Sequence, residues 1–68
     1  MKEQIQKMWE RFSQYKETAE QHEFVQLAWF DVRLTAQYED LQKNWTDDHA
    51  RLFIKNLTFA FKTLGINY

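Results

Sequence analysis

The residue types able to do chemistry are few in this chain, and their spacing argues against most of it. His22 and His49 are the only imidazoles. Neither has a second histidine at helical ligand spacing, so a zinc site would need both brought together with a carboxylate such as Glu23 or Asp48. Solvated or capping histidines are the simpler reading. No cysteine is present, which removes thiol nucleophiles, disulfides and thiolate metal sites. Ser13 is the only serine, on the polar side of its segment and with no base implied nearby. A single glycine leaves no phosphate-cradling loop. The pairs Glu39-Asp40 and Asp47-Asp48 are sequence neighbours, so their carboxylates diverge rather than converge on one substrate. A chain of this size also has little room for a ligand pocket. A non-enzymatic protein is expected, with no cofactor, metal or small-molecule substrate. Asn44-Trp45-Thr46 and Asn56-Leu57-Thr58 match the glycosylation acceptor pattern. Without a secretion signal both read as chance.

Binding chemistry is what remains. Leu52 and Phe59 lie on the side of a predicted third helix that faces away from its core residues. Asp48, Lys55 and Lys62 are interleaved with them, and Arg51 lies alongside. An apolar anchor pair rimmed by cations fits a protein-binding strip, for another protein or a second copy of the chain. Two singly exposed apolar residues are also ordinary for a soluble protein. The alternative function is a small nucleic-acid-associated regulator, with Arg51, Lys55 and Lys62 on phosphates and Phe59 stacked on a base. Against it, the cations are few, Asp48 shares the strip, and no helix-turn-helix, zinc or RNA-binding signature is present.

The element that organises the rest is the stretch from Phe24 to Trp45. No Gly or Pro interrupts it. Leu27, Phe30, Leu34, Tyr38, Leu41 and Trp45 recur at steps of three and four and form one helical seam. Val25, Trp29, Val32 and Ala36 form a second. Two seams predict two packed neighbours. Residues 32–39 also alternate apolar and polar as a strand would, but no hairpin turn sits beside them, and helix is preferred. Asp31 lies between the seams, with Thr35 near the same line. It reads as a hydrogen-bonded acid at the bundle edge, or as a register-fixing group.

Helix 1 is expected from about Lys2 to Thr18, with Ile5, Met8, Trp9, Phe12 and Tyr15 inward. Thr18 and Gln21 fit a capping box opening helix 2. No breaker separates helices 1 and 2, so the alternative is one long helix forming a helical dimer. Helix 3 is expected over Asp47–Leu64, with Thr46 as N-cap, Asp47 and Asp48 on the positive helix end, and Gly65 as the left-handed stop. Lengths of roughly 25, 33 and 27 Å at 1.5 Å per residue suit an antiparallel three-helix bundle in which helix 2 touches both others.

Composition agrees. One Gly and no Pro across 68 residues point to an all-α fold in a single domain spanning residues 1–68. Six Phe, three Trp and three Tyr supply the core material that a chain this short needs. A formal net charge of −1 gives no field towards nucleic acid or anionic lipid. No apolar run approaches a membrane span, and the opening residues lack a signal peptide's apolar core. A cytoplasmic location without membrane contact is expected.

Overall fold

The computed structural model describes residues 1–19 and 24–67, with the Phe24 side chain left aside. Three helices follow in order: α1 over Lys2–Thr18, α2 over Phe24–Lys43 and α3 over Asp47–Leu64. They form an all-α three-helix bundle about 35 Å long and 20 by 17 Å across. Residues 32–39 are helical throughout, so the strand alternative falls. Helical spacing maintained on both sides of that window outweighs a short alternation within it.

Aromatic and ionic contacts set the registers. Trp9 stacks on Tyr38 with ring centroids 4.7 Å apart, Lys16 meets Asp31 at 2.9 Å, and Lys2 lies over Trp45. As the α1 number rises the α2 number falls, so these helices are antiparallel. Phe30 meets Phe59 edge-on and Asn56 donates to the Gln37 side chain at 3.1 Å, so α2 and α3 are antiparallel too. Trp9 lies against Phe53, Phe12 against Phe61, and Arg11 donates to the Asn67 carbonyl, so α1 runs parallel to α3. Phe12, Phe53 and Leu57 are fully buried at the centre.

Both ends of α3 form as its sequence prescribes. Thr46 is extended and its hydroxyl accepts from the His49 N–H. Gly65 has φ +72, its N–H meets the Lys62 carbonyl, and the Ile66 N–H reaches back to the Phe61 carbonyl. Those two bonds make a Schellman ending, which satisfies carbonyls the helix would otherwise leave free. At the other connection Ala19 is extended, with ψ 138, and terminates α1. The long-helix alternative is thereby excluded. Thr18 does not open α2. It is the last residue of α1, and its hydroxyl donates back to the Gln14 and Tyr15 carbonyls. That local bond competes with the capping geometry. Gln21, His22 and Glu23 lie outside the described residues.

One expectation for α2 is overturned. Its first seam packs, with Leu27, Leu34 and Leu41 buried and Phe30, Tyr38 and Trp45 partly buried. Its second seam does not: Val25, Trp29 and Val32 are 83%, 63% and 71% exposed, and Ala36 is exposed as well. The reason is angular. At about 100° per residue, Val25 and Val32 lie roughly half a turn from the line through Leu27, Leu34 and Leu41. In a triangle of helices both neighbours sit on one side of α2, and the opposite side needs a fourth body. α2 does touch both neighbours, but through one seam and its two polar edges.

Candidate functional site

Asp31 sits on the α1 edge of α2. Its carboxylate accepts from Lys16 at 2.9 Å and from the Thr35 hydroxyl at 3.1 Å. Lys16 in turn lies over the Trp9 and Phe12 rings. The acid is half-buried and bonded within the chain, and it pins the α1–α2 register. Among the described residues no group of three or more His, Asp or Glu is close enough to hold a metal ion, and His49 is exposed near the start of α3. His22 lies outside them.

The anchors expected on α3 are on its outer side. Leu52 is 51% exposed and Phe59 62%. Lys55 and Lys62 are exposed on the same helix. Arg51 leans 3.7 Å from Asp48, which spends part of its charge locally. The bundle separates the two anchors. Leu52 lines a small recess with Gln37, Asp40, Leu41, His49 and Phe53. Phe59 sits two turns further along. There it joins Trp29, Phe30, Arg33 and Leu34 of α2 around a groove of about 280 Å³.

This groove gathers exposed aromatic side chains from two helices. Phe30 and Leu34 provide apolar lining, while α2 contributes Trp29 and α3 contributes Phe59. The Phe59 ring meets Phe30 edge-on at 6.1 Å, which limits its freedom. The Arg33 guanidinium lies over the Trp29 ring at 5.6 Å, which leaves its donors free at the planar edge. The bonded Gln37–Asn56 amide pair closes one end. Beyond the other end the surface continues over Val25, Ala28 and Val32 to Thr63. Trp29 and Phe59 alone expose on the order of 250 Å². With the two valines the patch reaches the size at which an apolar surface is often functional. The sequence reading missed Trp29, Val25 and Val32 as surface residues, because they fit a packing seam equally well. Their position half a turn from the three buried leucines was the available signal.

No helix among the described residues is long and apolar enough to cross a membrane. Compared with models of known protein families, with curated proteins and with solved structures, the chain matches none.

Proposed function

We propose that this chain is a small non-enzymatic interaction protein, an adaptor, inhibitor or accessory subunit. It binds another protein through the outward strip of α3. Phe59 is the main anchor, Leu52 the second, and Lys55, Lys62 and Arg51 form the rim. The observation that carries the reading is the exposure of Phe59 beside the equally exposed Trp29. Large aromatics gathered at one solvent-facing groove are the composition from which interface anchors are drawn. Asp31, held by Lys16 and Thr35, gives no competing centre.

The nucleic-acid alternative rests on the same lysines. It is weaker because Arg51 already leans on Asp48, and few cations would neutralise few phosphates. Its signature is binding that falls steeply with salt and survives Phe59→Ala. The interaction reading is tested by capture from native lysate with wild type and with Leu52→Asp/Phe59→Asp, both confirmed helical by circular dichroism. The expected result is a set of proteins retained by the wild type and lost from the double variant. Recovery of the same proteins by both removes the strip from consideration.

A further inference from the structure

We infer that the α2–α3 groove receives one acidic amphipathic helix of a partner protein, with Trp29 and Phe59 as its two walls. This rests on the interaction reading and adds the chemistry of the partner. The argument is the distribution of charge. From His49 to Asn67 the chain has no acidic residue. Between Phe24 and Tyr38 the sole acid is Asp31, and it is turned to α1 and held by Lys16. The charges that α2 and α3 set beside Trp29 and Phe59 are therefore Arg33, Lys55 and Lys62, all positive, in a chain whose formal net charge is −1. Asp40 lies beyond the amide pair that closes the groove, at the Leu52 recess.

Shape selects a helix. Two antiparallel helices leave a groove along their seam, and from Val25 to Gln37 it runs on the order of 18 Å along α2. A third amphipathic helix laid there would bury its apolar stripe between the aromatic walls. Carboxylates flanking that stripe would meet Arg33 on one side and Lys55 and Lys62 on the other. A second copy of this chain fits less well. A twofold that lays the Trp29–Phe59 face on itself brings like charges together.

The test is a display library of roughly 18-residue helical peptides, with the apolar stripe and the flanking charges both randomised. It is selected on the wild-type chain against Trp29→Ala/Phe59→Ala, whose altered side chains are more than half exposed. Acid-rich amphipathic sequences are expected to enrich. A synthesised winner should bind R33E/K55E/K62E about tenfold or more weakly than wild type, and its Lys-for-Glu counterpart should show the reverse preference. Neutral or basic winners, or acidic winners indifferent to the charge reversal, overturn the acidic partner and leave protein binding standing. If no peptide distinguishes wild type from the Trp29→Ala/Phe59→Ala protein, both readings fall. A dimer dissolved by Trp29→Ala reassigns the groove to a second copy. Binding to phosphatidylserine vesicles lost on the same change reassigns it to a membrane. Either result overturns the inference.

Discussion

Phe12 and Trp29 are both large aromatics on helices, and their sequence neighbourhoods look alike. One has no exposed surface and the other is 63% exposed. The energetic consequence differs several-fold. Phe12→Ala removes a ring packed against Trp9 and Phe61 and should cost about 3–5 kcal/mol, near the whole stability of so small a core. Trp29→Ala removes a ring that mostly faces water and should change stability by about 0.5 kcal/mol or less. Urea unfolding of the two variants, followed by circular dichroism, checks the pair. Equal losses would mean that Trp29 is packed. At this scale the candidate site was half legible. Phe59 and Leu52 stood out because they break the pattern of a helix with one clear core face. Trp29 did not, because on α2 it continued a regular seam.

Helix ends show which local signals decide an element. Both ends of α3 were readable because a hydroxyl N-cap and a terminal glycine satisfy specific backbone groups within a few residues, with two acids at the positive helix end. Gly65→Ala tests this. A Cβ there meets nothing within 4 Å, so the cost is that of holding φ +72 with a side chain, about 1 kcal/mol. Thr46→Ala should cost about as much by leaving the His49 N–H without its partner. Each should lower the urea midpoint at unchanged slope, and a changed slope would point to an altered unfolded state instead. The α1–α2 connection carried no comparable signal. Thr18 had two local uses for its hydroxyl, and only the extended Ala19 shows where the first helix stops.

For the whole molecule, the central question was whether one chain can close its own core. It does so on one side of α2. Phe12, Phe53 and Leu57 are enclosed by three helices of a single chain, and no twin is needed to cover them. Sedimentation equilibrium at micromolar concentration should therefore give about 8.4 kDa. Twice that mass would show that the bare side of α2 has found its cover in a copy. The sequence by itself determined the helices, the core faces of α1 and α3 and both caps of α3, because these depend on contacts within a few residues and on periodicity along one axis. Which apolar seam meets water was decided only by the tertiary structure. That depends on where α1 and α3 stand around α2, and periodicity within a single helix says nothing about the direction of its neighbours.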